Sequence, residues 1–391
     1  MLVNRVGAFA MMFLPLYLKQ ERGLSLTVAG LVTAAYGLGG AGGSLLGGVL
    51  ADVWGRRATL VTANGVAAAL MLGLGLAGPL WLVVALTTLL GVFHSMPGPA
   101  LVAATIDVVP EESRARGFNL QFWAFNLGLA VAATLAGVIV EAGFFLLFAL
   151  DAAMTAVTAL VVGFFVPETV GPRATRSVHT GRRPGLLTAL TDPHFMAFVG
   201  LTFVLAFLST QNSILQLAMD GDGLSPAAYG AVAALPGVFI VLGQLFVPPF
   251  LRDRVKGRVL ALSLTLLGAG YFAVAFADVL PAYLAAAAVW TIGSMLAAPP
   301  NAEVIAELAP AELRARYQAV FYLTFPAAGF VAPALGGWSL EHLGDWHWVA
   351  VGLIGLAAAA GHLAASAPRE HRVSPPPVPT PHTEPAAAVS C

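Results

Sequence analysis

Residues 48–57 of the chain read GVLADVWGRR, a short polar turn between two long apolar stretches. The glycines permit a tight turn, and Asp52 can face the positive N-terminal end of a neighbouring helix. Arg56 can pair with an acid at a helix end, for which the sequence offers Asp107. The alternative interpretation is that these charges form only a solvated loop. The apolar stretches on both sides therefore decide which solvent surrounds the fold.

Composition excludes water as the main solvent. Charged residues make up 10% of the 391 positions and hydrophobic residues 58%, whereas a soluble domain is about one quarter charged. So few polar side chains cannot cover a soluble surface, and lipid must cover it instead. The net charge of -1 does not indicate a nucleic-acid partner, and a sole cysteine, Cys391, excludes an intrachain disulfide framework. We expect helix packing alone to hold the fold, without a cofactor or a metal.

Apolar stretches of membrane-spanning length recur along the chain. A helix needs about 20 apolar residues to cross a hydrocarbon core of about 30 Å. The stretches are continuous and rich in Ala, Leu, Val and Gly, unlike the short alternating segments of a membrane β-barrel. The sequence predicts an all-α membrane protein whose twelve spans lie near residues 4–18, 27–50, 59–77, 81–106, 117–140, 144–166, 194–217, 226–250, 259–277, 281–306, 317–340 and 346–366.

Basic residues predict the orientation. All of them except Lys19 and Arg22 fall in alternate loops, near the N-terminus or in the C-terminal tail, and basic loops face the cytoplasm. We therefore expect a multi-pass protein of the bacterial inner membrane with both termini in the cytoplasm. The first span is short and contains Arg5. It could be a signal peptide, but no small-residue cleavage site follows, and a native start upstream fits better.

The second half of the chain repeats the first at an offset of 200 residues. Gly23, Leu24 and Ser25 recur as residues 223–225, and Arg114-Ala115-Arg116 recurs as residues 314–316. Each half holds six spans, so both run in the same direction and the repeat is parallel, with its axis along the membrane normal. The predicted domains are a bundle over 1–166, a cytoplasmic linker over 167–193, a second bundle over 194–366 and a disordered Pro-rich tail over 367–391.

With this span count and repeat, residues 48–57 resemble the loop signature of the major facilitator superfamily, Gly-x-Leu-Ala-Asp-Arg-x-Gly-Arg-Arg, departing from it at Val53. Residues 253–258 keep a degenerate copy. The resemblance covers about residues 4–366 and implies two six-helix bundles that rock about a central cavity. It also implies that the signature latches the cytoplasmic side while the transporter is open outward. The latch residues expected here are Gly48, Asp52, Gly55, Arg56, Arg57 and Asp107.

One face of helix two consists almost entirely of glycines. Because glycine has no side chain, this face predicts close contact with a neighbouring helix. These glycines are at positions 37, 39, 40, 43, 47 and 48. In the superfamily, helix two packs across the two-fold axis against helix eleven. Here, residues 328–337 of helix eleven resemble the exporter signature Gly-x-x-x-Gly-Pro-x-x-Gly-Gly. The corresponding stretch of helix five, 128–137, lacks the proline.

Ionisable groups inside a membrane are costly, so each is a functional candidate. Asp151 in helix six is a candidate proton carrier, with permanent pairing to Arg5 or the capping of a kink as the alternative. The stretch that begins with Asn4 and Arg5 resembles helix one of drug exporters. Arg5 could neutralise the charge of Asp151 or bind an acidic substrate. His94, at mid-membrane, can titrate near physiological pH or simply be hydrogen-bonded. Glu303 could act in transport or pair with an arginine of the adjacent loop.

Two polar and aromatic stripes are candidates for the cavity wall. The resemblance places helices one, four, seven and ten around the cavity, with two, five, eight and eleven beside them. Each aromatic side chain could instead serve packing. The stripes and walls comprise Asn119, Phe122, Trp123 and Asn126 on helix five, Ser209, Asn212, Ser213 and Gln216 on helix seven, and Tyr322 on helix eleven.

The predicted function is export of hydrophobic or amphipathic small molecules by proton antiport with alternating access, by a monomer that is not an enzyme. An importer or metabolite exporter for a polar solute is the alternative. It would need a more charged cavity than the sequence shows. A membrane-embedded enzyme would need a clustered catalytic set or a nucleotide-binding loop, and neither is found. A fixed channel fits the repeat and the latch less well.

Overall fold

The structure is a computed structural model that describes residues 10–168, 187–243, 246–247, 251, 254–310 and 313–373. Arg5, residues 169–186 of the linker predicted over 167–193, and residues 374–391 of the predicted tail lie outside the described residues. Within them, the chain is helical, without a strand. In this described part of the chain, eleven helices are long and apolar enough to cross a membrane. A further helix, Ala10–Gln20, covers the described part of the first predicted span. The predicted all-α class is confirmed.

We number the twelve membrane helices α1 to α12. Their bounds are α1 Ala10–Gln20, α2 Leu26–Val53, α3 Arg56–Leu76, α4 Leu80–Ser95 with Pro97–Val108, α5 Arg114–Glu141, α6 Phe144–Phe165, α7 Pro193–Thr210 with Asn212–Gly221, α8 Pro226–Gly243, α9 Lys256–Val274, α10 Leu280–Leu308, α11 Arg314–Tyr322 with Thr324–Leu343, and α12 Trp346–Val373. We call the end of the bundle that carries Arg56, Arg57, Arg114, Arg254 and Arg316 the basic end. The other, with Lys19 and Arg22, is the opposite end.

The recurring Gly-Leu-Ser triplet builds the same corner in both halves. Gly23 and Gly223 adopt φ of 60° and 75°, a region that favours glycine. Each ends the preceding helix in a left-handed turn, in which the following leucine amide bonds back to a carbonyl of the last turn. Ser25 and Ser225 then cap α2 and α8 by accepting from Val28 N and Ala228 N, at 3.4 and 3.2 Å. The sequence repeat is therefore also a structural repeat.

Two seams join the halves, one between α2 and α11 and one between α5 and α8. On the first, a Cβ added to Gly30 would lie 2.9 Å from Gly337 Cα, and the reverse substitution meets Gly30 Cα at 2.9 Å. On the second, a Cβ on Gly230 would lie 2.5 Å from Ala133 O, and one on Gly137 would lie 2.8 Å from Ala227 Cα. An offset of 200 converts Gly30 to Gly230 and Gly137 to Gly337. The seams are thus two-fold images of each other.

The glycine face of α2 is divided between two neighbours. Gly37 approaches the backbone of Gly329 on α11, as expected for a helix that packs across the two-fold axis. Gly39, Gly43 and Gly47 instead approach α4 of the same half, where added Cβ atoms would lie 2.7 to 3.0 Å from backbone atoms of Thr88, Val92 and Met96. The close helix contact predicted for this face is present, but for these three glycines the partner is α4 and not α11. Their spacing fixes close approach but not the partner.

Polar contacts also join the halves at the opposite end. Lys19 on α1 forms an ion pair of 2.6 Å with Asp220 on α7, whose carboxylate also accepts from Gln20 Nε2 at 2.7 Å. Glu341 on α11 accepts from the backbone amide of Thr27, at 2.6 Å. With the two glycine seams, these contacts hold the halves together from the middle of the bundle to its opposite end.

Candidate functional site

The GVLADVWGRR turn forms a charged cluster at the basic end. Gly55 precedes α3 with a φ of 106°, so a glycine is needed there. Arg56 Nε lies 3.1 Å from Asp107 Oδ2, at the basic end of α4, and Arg56 Nη2 lies 3.7 Å from Asp52 Oδ1. The structure therefore brings together the arginine and the acid that the sequence paired. Both belong to the first half, so the ion pair stabilises that half internally.

The N-terminus of α3 is capped by an acid that sequence reasoning missed. Glu168, just after α6, accepts from the backbone amides of Arg56 and Ala58 at 2.9 and 3.5 Å. A Cβ on Gly55 would lie 2.5 Å from the Glu168 carboxyl carbon, so the glycine also makes room for the cap. The neighbouring Arg57 donates to Gly163 O on α6. The side chain of Asp52 is 75% exposed. The acid at this helix end is therefore Glu168 and not Asp52, which the sequence suggested.

The second half carries an equivalent ion pair. Lys256, at the start of α9, pairs with Glu307 on α10, and these positions are Arg56 and Asp107 shifted by 200. Lys256 Nζ also lies 3.1 Å from Glu303 Oε2. Glu303 is thus paired at the basic end, with a lysine and not with the arginine that the alternative interpretation assumed. Asp253, from the degenerate copy, lies outside the described residues.

Asp151 is the one acidic side chain that is buried among the described residues, with 1% of its surface exposed. Its carboxylate accepts from the backbone amide of Ala10 on α1, at 2.9 Å, and from Thr155 Oγ1, at 3.3 Å. The acid therefore connects α6 to α1 within the first half. This geometry ties the acid directly to the backbone of the first described turn of α1.

His94 lies immediately before the break in α4, which Met96 and Pro97 create. The imidazole is half-buried, and its Nδ1 lies 3.2 Å from the hydroxyl of Tyr36 on α2. The histidine is therefore hydrogen-bonded, as the alternative interpretation of this residue expected.

The stripe on α5 is split by the structure. Phe122 and Trp123 are 45% and 37% exposed, and Asn119 is exposed one turn nearer the basic end. Asn126 is buried, donates its amide to Phe122 O at 2.9 Å and presents its own carbonyl to Gly237 of α8. Asn126 therefore belongs to the seam and not to the exposed wall.

Aromatic side chains on α11 are exposed at the same level. Tyr322 is 62% exposed and stands against the rings of Phe321 and Phe325. It lies at the break between the two segments of α11, on the helix that forms the first seam. Phe122 and Trp123 on α5 and Tyr322 on α11 therefore place exposed aromatic rings in the basic halves of these two seam helices.

The stripe on α7 surrounds a break in that helix. Gln211 N donates to Leu208 O and Ile214 N donates to Gln211 O, both at 3.1 Å, so the helix tightens into a 3₁₀-like turn. Ser209 donates to Leu205 O within its own helix, at 2.9 Å. Gln216 Nε2 reaches across the halves to Met12 O on α1, at 2.7 Å. Asn212 and Ser213 lie between them, and Gln211, which the periodicity did not include, is fully buried.

These features define a polytopic membrane transporter of two parallel six-helix halves. A sequence profile described as Major Facilitator Superfamily matches residues 2–220 and 197–389, and the chain belongs to that superfamily. It is an integral membrane protein that moves a small-molecule substrate and is not an enzyme.

Known proteins similar to the chain agree with this assignment. It is 28% identical, over 88% of its length and 87% of the relative, to the uncharacterised MFS-type transporter YttB of Bacillus subtilis (strain 168). It is 23% identical, over 80% of its length and 78% of the relative, to the multidrug resistance protein MdtH of Escherichia coli (strain K12 / DH10B). A crystal structure of the peptide transporter POT in complex with sulfate superposes with a TM-score of 0.77 at 17% identity, covering 95% and 93% of the two chains. That likeness is one of fold.

Proposed function

We propose that the protein exports hydrophobic or amphipathic small molecules from a bacterial cell by proton antiport with alternating access, working as a monomer. The observation that carries the proposal is the exposed aromatic surface on α5 and α11. Phe122, Trp123 and Tyr322 lie in the basic halves of α5 and α11. They are nearer the basic end than the contacts that close the two halves together. Aromatic walls bind apolar and amphipathic solutes through area burial and ring stacking. The name of the relative MdtH supports the same substrate class.

The basic end is the cytoplasmic end in this proposal, because basic loops face the cytoplasm. The chain then has both termini in the cytoplasm of a bacterium and crosses its inner membrane. Closure at the opposite end leaves the cavity open to the cytoplasm, which is the side from which an exporter loads substrate. Alternating access then requires the seams to part and the basic ends of the halves to meet.

Asp151 is the proposed proton carrier. It is buried, and its carboxylate holds the backbone of α1 through the Ala10 amide. A protonated carboxyl group is a weaker acceptor for that amide than a carboxylate. Proton binding therefore loosens α1, a helix that also contacts the second half through Met12 and Lys19. Arg5, His94 and Glu303 remain candidates for modulating this step.

The test uses purified protein in liposomes with an imposed pH gradient. Radiolabelled tetraphenylphosphonium, a lipophilic cation, is the transport probe, and the wild-type protein should accumulate it only when the gradient is present. Asp151→Asn keeps the size of the side chain and an acceptor for the Ala10 amide, so it should abolish the gradient dependence but retain exchange of labelled for unlabelled probe. Thr155→Val is the matched control, since it removes a hydrogen bond to Asp151 but no titratable group.

Two results would refute the proposal. Probe flux that is unaffected by the gradient and by Asp151→Asn would exclude proton antiport through this acid. Accumulation of a polar nutrient by energised cells, without export of the lipophilic probe, would favour the importer of a polar solute.

A further inference from the structure

We infer that the break in α7 forms a subsite that binds an uncharged hydrogen-bonding group of the substrate, such as an amide or a hydroxyl. The subsite is a cluster of four side chains, Gln211, Asn212, Ser213 and Gln216, which we call the α7 polar cluster. This inference rests on the proposed export function and assigns the chemistry that one part of the cavity recognises.

The cluster holds several buried polar atoms without a hydrogen-bond partner in the described part of the chain. Gln211 has 0% of its surface exposed, and neither its Nε2 nor its Oε1 has a partner. Gln216 is 1% exposed, and its Oε1 is likewise unpartnered. Asn212 Oδ1 and Ser213 Oγ complete the set. Buried polar atoms are normally hydrogen-bonded, because leaving them unmade costs free energy.

The other hydroxyl groups of the same helix behave differently. Thr202, Ser209 and Thr210 each donate to the carbonyl four residues earlier, at 2.7 to 2.9 Å. Their hydrogen bonds are satisfied within the helix. The unpartnered atoms therefore begin at the break, where the helix changes its hydrogen-bonding pattern. A general property of polar residues in a membrane helix does not account for them.

The position of the cluster is the closed end of the cavity. Gln216 Nε2 donates to Met12 O on α1, so this part of α7 touches the other half. A Cβ on Gly336 of α11 would lie 3.1 Å from Gln211 Oε1, so the cluster also faces the α11 side of the first seam. The cluster thus lies where α1, α7 and α11 meet, beyond the exposed Ser209. A solute that enters between the halves from the basic end reaches it last.

The residue types select the ligand. All four side chains are uncharged, and a bare charge buried among them would lack a counter-ion. The amides of Gln211 and Asn212 can both donate and accept, and the serine hydroxyl can do either. An uncharged amide or hydroxyl of the substrate satisfies such a set, while the apolar part of an amphipathic solute can rest on the aromatic walls. Substrates with such a group are therefore preferred over lipophilic ions.

The test compares two probes on the purified full-length protein in detergent. Chloramphenicol is uncharged and carries an amide and two hydroxyls, whereas tetraphenylphosphonium carries a charge and no hydrogen-bonding group. Gln211→Met and Ser213→Ala remove polar atoms at little change in volume, and each should raise the Kd for chloramphenicol about two- to tenfold, as expected for the loss of one hydrogen bond. The Kd for tetraphenylphosphonium should not change. Thr202→Val, whose hydroxyl is already bonded within the helix, is the matched control and should leave both values unchanged.

Thermal stability provides a readout that is independent of transport. Without ligand, Gln211→Met should melt at the same or a higher temperature than the wild type, because it removes unpartnered buried atoms. Chloramphenicol should raise the melting temperature of the wild type more than that of the variant. A lower melting temperature without ligand, together with an unchanged chloramphenicol Kd, would show that the cluster has only a structural role.

Other outcomes also decide the matter. An equal change in the Kd of both probes, no saturable binding of chloramphenicol to the wild type, or chloramphenicol binding that requires sodium ions would overturn the inference. Gradient-driven transport of tetraphenylphosphonium would persist in each case if the export proposal is correct. Failure of that transport with a selective effect of Gln211→Met on chloramphenicol would refute the export proposal and retain the subsite.

Discussion

Replacing Gly30 by alanine should shift the protein away from the conformation described here. The new Cβ would lie 2.9 Å from Gly337 Cα and closer still to Pro333 O, whereas ordinary contacts begin at 3.4 Å. The two backbones would have to separate by at least about 0.5 Å at this seam. Overpacking of this kind costs about 1–3 kcal/mol, which corresponds to a factor of about 5–150 in a two-state equilibrium. The ratio of molecules with the opposite end parted to molecules with it closed should rise by that factor.

Pulsed electron spin resonance measures this shift directly. Cys391 is the sole cysteine of the chain, so Cys391→Ser gives a background in which Glu21→Cys and Asp345→Cys each accept a spin label. These exposed positions lie at the opposite end, one in each half. Gly30→Ala should increase the long-distance population and slow exchange of tetraphenylphosphonium in liposomes.

Two glycines provide matched controls. A Cβ on Gly42, also on α2, meets nothing within 4 Å, and one on Gly329, on the same seam, lies 3.8 Å from Gly37 Cα. Both controls share the gain in helix propensity that alanine brings, so that effect cancels in the comparison. Equal distance distributions for Gly30→Ala, Gly42→Ala and Gly329→Ala would refute the argument that backbone contact at this seam closes the opposite end.

Three further changes separate contacts between the halves from contacts within one half. Asp220→Asn removes the ion pair with Lys19. Because the side chains of Asp220 and Lys19 are 22% and 30% exposed, we expect the parted population to rise by no more than about fivefold. No rise at all would contradict a role of this ion pair in closure. Asp107→Asn removes the partner of Arg56 within the first half, so melting should fall by no more than about 2 °C, and a change in spin-label distances would contradict the assignment. Glu168→Gln weakens the cap of α3 and should cost about 0.5–1 kcal/mol in thermal unfolding, whereas unchanged melting would show that the cap contributes nothing.

The sequence predicted the features that depend on periodicity and charge. Continuous apolar stretches predicted the helices, and the 200-residue offset predicted the parallel repeat, which Gly23 and Gly223 show as equivalent turns. The Arg56 and Asp107 pair was also predictable, because both side chains lie at helix ends on the same side of the membrane. Each of these inferences needs only the position of a residue along one helix.

The missing parts depend on which helices are neighbours. Glu168 follows α6 and caps α3, a contact that no local pattern indicates. The offset of 200 applied to Asp107 could have found Glu307, since the repeat was already visible. Gln211 does not fit the helical periodicity of the polar stripe on α7. It belongs to the α7 polar cluster because it lies at the break in the helix, which the sequence pattern does not indicate. Asn126 fits the periodicity of its stripe, but it lies in the seam between α5 and α8. Its side-chain amide bonds to Phe122 O of its own helix, so the backbone of Gly237 can approach closely.

The division of contacts indicates what a conformational change has to break. The pairs of Arg56 with Asp107 and of Lys256 with Glu307 connect neighbouring helices of a single half, so they move with that half. Opening at the opposite end requires separation of the glycine seams, where each atom pair contributes only about 0.1–0.2 kcal/mol.

It also requires the exchange of a few polar contacts for water. Lys19 with Asp220 and Thr27 with Glu341 lie at the exposed opposite end and can be hydrated as they part. Gln216 itself is buried, so its hydrogen bond to Met12 O is less open to water, and in the proposed mechanism a substrate group replaces it. A ligand shifts such an equilibrium only by its difference in affinity for the two states. In the proposed subsite, substrate binding at the α7 polar cluster would supply that difference, because Gln216, which joins the halves there through its Nε2, also has an unpartnered Oε1 that can accept from the substrate.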